Sequence, residues 1–430
     1  MQVDAEVSDF CAAATPQARA LLAERQLARL EADEARVRAF VALDVDAARR
    51  QIALPQAGPL GGALVGLKDI IATADFPTRY GASETAPVGP RTDAWCVGEM
   101  RRLGATILGK TVCTQFAYPV PGPTTNPHDA TRTPGGSSSG SAAAVAAGFV
   151  SFALGTQTAG STIRPAAYCG ITGFKPSFGL LHMEGVEAIS TTLDHLGLFA
   201  RSPRDVWYPA SALTLPQGEV VAPLAPRRVL VLRLPPELPQ RDGYRERLQE
   251  LAGWLRGEGV VAETIDLPFP LGDFRGLQQE LCYWEAARIL LAPDRMQLVP
   301  ELRQLLRPYL EKDIAEYAEA RRRRQRYQLE FDALVRHADA LIMPAATGVA
   351  PAFANTGDAV MNRFWTALHV PAITVPLCWT SAGLPLGLQL VGRIGADRAL
   401  AQSAQWFYER RPVRKASASA GRSAASPARV

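Results

Sequence analysis

With 430 residues, 47% of them hydrophobic, the chain has enough apolar material for a large core, in one big α/β domain or two smaller ones. Basic and acidic residues nearly cancel, 46 Lys and Arg against 42 Asp and Glu, so no nucleic-acid-binding surface is expected. No membrane span is expected either, because the apolar run from Ala142 to Leu154 is interrupted by Gly148 and Ser151.

The six cysteines (Cys11, Cys96, Cys113, Cys169, Cys282 and Cys378) form no CxxC pair and no cluster with histidine. They read as buried free thiols in a reducing compartment, and no metal site is expected. The opening stretch MQVDAEVSDF has neither a basic n-region nor an apolar h-region, so a cytoplasmic location is expected. Lysine is scarce: Lys68, Lys110, Lys175, Lys312 and Lys415 stand against many arginines, which makes a lysine inside an apolar strand conspicuous.

In chain order, residues 14–53 show apolar residues at helical spacing (Leu27, Leu30, Val37, Phe40, Val41) and predict an amphipathic helical cap. A turn-rich entry leads to the strand Ala63-Leu64-Val65-Gly66-Leu67-Lys68, followed by Asp69. Asp75 to Arg91 reads as a surface loop, Trp95 to Leu103 as a helix and Ala105 to Leu108 as a strand. That strand lies inside Gly104-Ala105-Thr106-Ile107-Leu108-Gly109-Lys110-Thr111, which matches the phosphate-binding pattern GxxxxGK[ST]. A phosphate loop needs its strand before the motif and a helix after it. Here the interior is the strand, and Thr111-Val112-Cys113-Thr114 is a poor helix start. Phe116 to Pro127 is too proline-rich for regular structure.

The segment Thr133 to Pro176 organises the rest. A Gly/Ser loop (Gly135-Gly136-Ser137-Ser138-Ser139-Gly140) opens it, a small-residue helix is expected over Ser141 to Gly148, and a buried strand over Phe149 to Leu154. A second loop follows, Gly155-Thr156-Gln157-Thr158-Ala159-Gly160-Ser161. A helix-strand unit of this kind returns the chain near its start, so the two serine-bearing loops are expected to face each other across a pocket. The first loop also satisfies GxSxG, with Ser138 as the nucleophile of an α/β-hydrolase-like esterase. That elbow follows a strand, whereas Thr131 to Pro134 is loop, and none of His182, His195, His337 and His369 sits in a context tied to it.

These residues resemble the signature of the amidase signature family, serine amidohydrolases with a Ser-cisSer-Lys triad. The resemblance covers roughly Gly61 to Arg410. It implies a single α/β/α domain around a mixed, many-stranded β-sheet, divided here into a cap (1–57), a catalytic half (58–210) and a variable substrate-side half (211–413). It also implies three roles: Ser161 as nucleophile, Ser137 as the bridging residue behind a cis peptide, and Lys68 as base. The backbone N–H groups of Thr158, Ala159, Gly160 and Ser161 match the oxyanion hole, and Ala117, Tyr118 and Ser138 are the substrate-pocket candidates. The second loop departs from the commonest pattern, with Gln157 where Asp is usual, Ala159 where Gly is usual, and Arg164 one position later than the usual arginine.

Downstream, the family pattern continues through Leu193 to Ser202, and a helix is expected from Pro203. Strands are expected at Arg228–Leu232, Val260–Ile265, Ala340–Pro344, Pro371–Pro376 and within Gly383–Gly392; helices at Gly243–Arg256, Gln278–Leu291 and Ile314–Leu334. The run Arg321-Arg322-Arg323-Arg324 reads as a solvated or paired helix face, and 414–430 as a disordered tail. The implied reaction is hydrolysis of a small-molecule amide, with ester, anilide and carbamate bonds open to the same chemistry, and no cofactor. A homodimer is left open. The alternative within the family is the glutaminase subunit of a tRNA-dependent amidotransferase.

Overall fold

In the computed structural model, residues 6–13, 15–54, 58–82, 89–118, 120–215, 218–236, 238–292 and 298–410 are described. The tail expected at 414–430 lies outside them. The unbroken apolar runs of the sequence become strands buried on both faces: β2 (Leu64–Lys68), β3 (Thr106–Thr111), β4 (Phe152–Gln157), β6 (His195–Ala200) and β9 (Ala340–Pro344) are buried along their whole length. Burial of both faces requires a helical layer on each side of the sheet.

With β1 (Phe40–Leu43), β5 (Thr172–Lys175), β7 (Arg228–Leu232), β8 (Val261–Ile265), β10 (Ala372–Trp379) and β11 (Pro385–Val391), the described residues form one eleven-stranded sheet. Its order is β1-β3-β2-β4-β6-β5-β10-β11-β9-β7-β8. The sheet is mixed. The triplets β3-β2-β4 and β9-β7-β8 are parallel, and the strands between them pair antiparallel. No helix among the described residues is long and apolar enough to cross a membrane, and the six cysteines are free.

The helix Ser139–Ala147 packs on β2, β3, β4 and β6. Its small residues allow that approach: a Cβ on Gly140 would lie 2.1 Å from the Ala39 carbonyl oxygen and 2.4 Å from the Val112 nitrogen. Gly148, at φ 79°, ends the helix. The following strand therefore starts at Phe152 rather than Phe149, and runs on through Thr156 and Gln157 into the second loop.

Three other expectations are corrected. The segment 14–53 is not helical throughout: the helix Pro16–Val37 stops at Arg38, which is left-handed at φ 54°, and Phe40–Leu43 pairs antiparallel with β3 before the helix Val45–Ile52. The aromatic and β-branched pair Phe40-Val41 suits an edge strand as well as a helix face. The strand at Ala105–Leu108 extends to Thr111, so Lys110 lies inside it, fully buried, donating to the Ile71 carbonyl and to Thr78 Oγ1 rather than facing a phosphate. The helix expected from Gln278 begins at Leu271, directly after Pro270.

Candidate active site

Lys68 closes β2, the middle strand of the parallel triplet, and is fully buried. Burial pushes its ammonium pKa down to about 8, against a smaller opposing pull from Cys113 and Asp194. The Nζ donates to Ser137 Oγ and to Thr156 Oγ1, both at 2.7 Å. Asp69 faces away: its carboxylate accepts from the Arg79 and Gly81 N–H groups and lies 3.5 Å from Lys110. Asp69, in the turn just past the strand, is thus paired with a different lysine. Ser137 follows a cis peptide bond, Gly136–Ser137. The Gly136 carbonyl accepts from Arg164 at 2.5 Å. Arg164 is buried, which pulls its guanidinium down to about 10.

The second loop is held from behind. The Thr158 carbonyl accepts from Gln278 Nε2 at 3.0 Å, and the Ala159 carbonyl from Thr366 Oγ1 at 2.8 Å. In a trans peptide the N–H points opposite to the carbonyl, so these two bonds turn the Ala159 and Gly160 N–H groups the other way. Among the described residues, the N–H groups of Thr158, Ala159, Gly160 and Ser161 donate to no protein acceptor. Gln157 accounts for its own departure from the pattern. Its Oε1 accepts from the Thr162 and Ile163 N–H groups at 2.9 and 3.0 Å, at the start of the helix Ile163–Cys169, while its Nε2 donates to Thr366 Oγ1. A side-chain amide oxygen does there what a carboxylate would do, and its NH₂ adds a bond a carboxylate could not make. Thr158 Oγ1 donates to Asp194, whose carboxyl pKa burial raises to about 6.

A cavity of about 330 Å³ opens onto this loop. Ala117, Tyr118, Thr158, Ala159 and Ser161 lie in its wall. Gly160 backs onto Asn362 instead, where a Cβ would sit 2.6 Å from Oδ1. Lys68 and Ser137 are behind the wall, and no hydrogen bond joins Ser137 to Ser161 among the described residues. Ser138 is not a pocket residue: it is fully buried, and its hydroxyl donates to the Thr156 carbonyl and accepts from the Thr156 N–H. It heads the helix Ser139–Ala147 with its side chain turned into β4, which also removes the geometry an elbow nucleophile requires. A second cavity, about 340 Å³, lies beyond Asp194 against Phe178, His182 and His195, and contains none of the predicted catalytic, oxyanion or substrate-pocket residues.

Sequence reasoning missed Thr156, Gln278, Arg275, Thr366 and Arg363. Thr156 is readable from sequence only as loop. The other four come from segments far along the chain that carry no motif.

A family model described as Amidase matches residues 22–214 and 294–401. The chain belongs to the amidase signature family. The A-subunit of the glutamyl-tRNA(Gln) amidotransferase from Treponema pallidum (strain Nichols) is 30% identical over 422 residues, covering 82% of both chains. A solved peptide amidase in complex with the competitive inhibitor chymostatin superposes with a TM-score of 0.83 at 28% identity, over 95% of this chain and 98% of the other. A crystal structure of an amidase gives 0.82 at 29% identity, over 92% and 96%. This amidase-signature hydrolase therefore shares its fold with relatives along nearly its whole length. The segment outside the family match, 215–293, holds β7, β8 and the helix Leu271–Leu290 that forms one side of the cavity.

Proposed function

We propose that the chain hydrolyses a carboxylic amide other than a peptide bond, through an acyl-enzyme on Ser161. The observation that supports this most directly is that Lys68 Nζ, fully buried, is bonded to two hydroxyls and to no carboxylate. A hydroxyl can give a proton as well as take one, so either form of the amine is satisfied there.

In this reading Ser161 Oγ attacks the carbonyl carbon while its proton passes to Ser137 Oγ, and Ser137 passes its own to neutral Lys68. The carbonyl π pair moves onto oxygen, which accepts from the N–H groups of Thr158 to Ser161. Collapse re-forms the carbonyl and breaks the C–N bond. The departing amine takes a proton from Ser137, which Lys68 replenishes. Water then repeats the sequence on the ester, releasing the acid and restoring Ser161. No step calls on a metal or cofactor, and an ester or carbamate follows the same course. Arg164 on the Gly136 carbonyl and Gln278 and Thr366 on the second loop hold the two loops in position.

A second reading, the glutaminase-type component of an amidotransferase, is favoured by the name of the Treponema pallidum relative. A purified chain that turns over small amides without partner proteins decides against it. The reading itself is tested with a fluorophosphonate. The adduct is expected on Ser161, and Ser161→Ala should lose both labelling and roughly 10⁴-fold or more of turnover. An adduct on Ser138 would overturn the assignment.

A further inference from the structure

The cavity wall is built from two sources of different character. The side that carries Thr158, Ala159 and Ser161 falls within the family match; much of the opposite side is one face of the helix Leu271–Leu290, which does not. The helix residues in that wall include Arg275, Gln278, Cys282, Ala286 and Leu290, spaced by three or four, as one face of a helix requires. They change character along the axis. Arg275 and Gln278 are polar, whereas Ala286 and Leu290 are apolar and share the wall with Leu302, Leu306 and Phe116.

Gln278 fixes where the reaction centre lies along this face, because its Nε2 holds the Thr158 carbonyl in the loop that ends in Ser161. At 1.5 Å per residue, Arg275 sits about 4.5 Å from Gln278 along the axis, and Leu290 about 18 Å in the other direction. The short arm is cationic. Arg363 also lies in the wall, with Nη1 donating to Gln278 Oε1 at 2.7 Å and a buried Nε that has no acceptor. Neither Arg275 nor Arg363 has a carboxylate partner among the described residues. With Arg164 the wall carries three guanidinium groups against one carboxylate, Asp358, whose Oδ1 accepts from the Val360 N–H. A concave site with such an excess concentrates anions, and a guanidinium fork matches a carboxylate.

We infer that the substrate is an amide flanked on opposite sides by a carboxylate and by an apolar aryl or alkyl group, the carboxylate bound by Arg275 and Arg363 and the apolar group against Ala286, Leu290, Leu302 and Leu306. This rests on the hydrolase reading for the reaction, and on the wall alone for recognition. The chemistry has two sources: an N-acylated amino acid places the carboxylate on the amine side, and the half-amide of a dicarboxylic acid places it on the acyl side.

Two matched pairs separate them: N-benzoylglycine with N-isobutylbenzamide, and succinanilic acid with 4-methylpentananilide. Each pair differs only in a carboxylate replaced by an isopropyl group. Turnover is measured on the wild type, and affinity by calorimetry on Ser161→Ala, alone and with Arg275→Gln or Arg363→Gln. The acid of at least one pair should be preferred by about tenfold or more in affinity and in kcat/KM, and each arginine substitution should cut that ratio by about tenfold. The preferred pair identifies the side that bears the carboxylate. Arg275 is exposed and touches no other described residue through a hydrogen bond, so its variant serves if Arg363→Gln disturbs folding. Equal or weaker binding of both acids, or a ratio that survives both substitutions, overturns the inference. Preferred binding of an acid with no turnover of any of the four supports the recognition and overturns the hydrolase reading instead.

Discussion

Lys68 and Lys175 each end a fully buried strand, and they make a controlled comparison inside one sheet. Burial pulls both ammonium groups down, Lys68 to about 8 and Lys175 to about 7. Depth therefore does not distinguish them. Their partners do. Lys175 Nζ donates to the backbone carbonyls of Pro176 and Val370, which can only accept. Lys68 meets two hydroxyls, which can do either. A proton can leave Lys68 and return through Ser137, whereas the carbonyls around Lys175 offer it no relay. On the proposed mechanism, Lys68 is set apart as the base by the serine hydroxyl it touches and not by how little water reaches it.

The strongest way to break this contrast is Lys68→Met. It should cost amide hydrolysis roughly 10²- to 10⁴-fold in kcat/KM, and a matched p-nitrophenyl ester at least about tenfold less. The ester releases a stable phenolate that needs no proton, so the acid role of Lys68 is spared. Equal losses would mean that Lys68 serves only to activate the serine or only to hold the site together, with no part in protonating the amine.

Much of the fold is legible in the sequence. The strands Arg228–Leu232 and Ala340–Pro344 and the helix Ile314–Leu334 fall where period and composition place them. The segments bearing Lys68, Ser137 and Ser161 stand out because glycine, serine and one rare lysine are hard to explain otherwise. Less legible were elements whose polar residues are buried. His195–Ala200 and the Thr156-Gln157 end of β4 are strand because Gln157 pairs with His195 in the ladder, a long-range fact that local period does not contain. Missing the start of the helix at Leu271 also hid Arg275, and with it the cationic end of the cavity.

An intermediate effect sharpens the comparison through pH. Lys68 is held below its ordinary value, so its neutral form grows in as pH rises through about 8. Amide kcat/KM should rise about tenfold between pH 7 and pH 9, and this limb should vanish from the residual activity of Lys68→Met. A limb that persists in that variant would move the titration to another group. The smallest effect on turnover belongs to Lys175→Met. It leaves two carbonyls without their donor and should lower stability by about 1–3 kcal/mol, read as a reduced urea midpoint, with kcat within about threefold of wild type. A loss of turnover matching that of Lys68→Met would mean that burial, not partner chemistry, sets the two apart from other lysines.

The bonds behind the second loop have a consequence for synthesis. Gln157 to Thr366 spans 209 positions, Thr366 to Ala159 spans 207, and Gln278 to Thr158 spans 120. On the ribosome, Lys68, Ser137 and Ser161 emerge long before the side chains that orient the amides beside them. Under the proposed mechanism, a growing chain carries Ser161 without its aligned donors until translation has passed Thr366. On that reading, the order of synthesis keeps an unfinished chain inert.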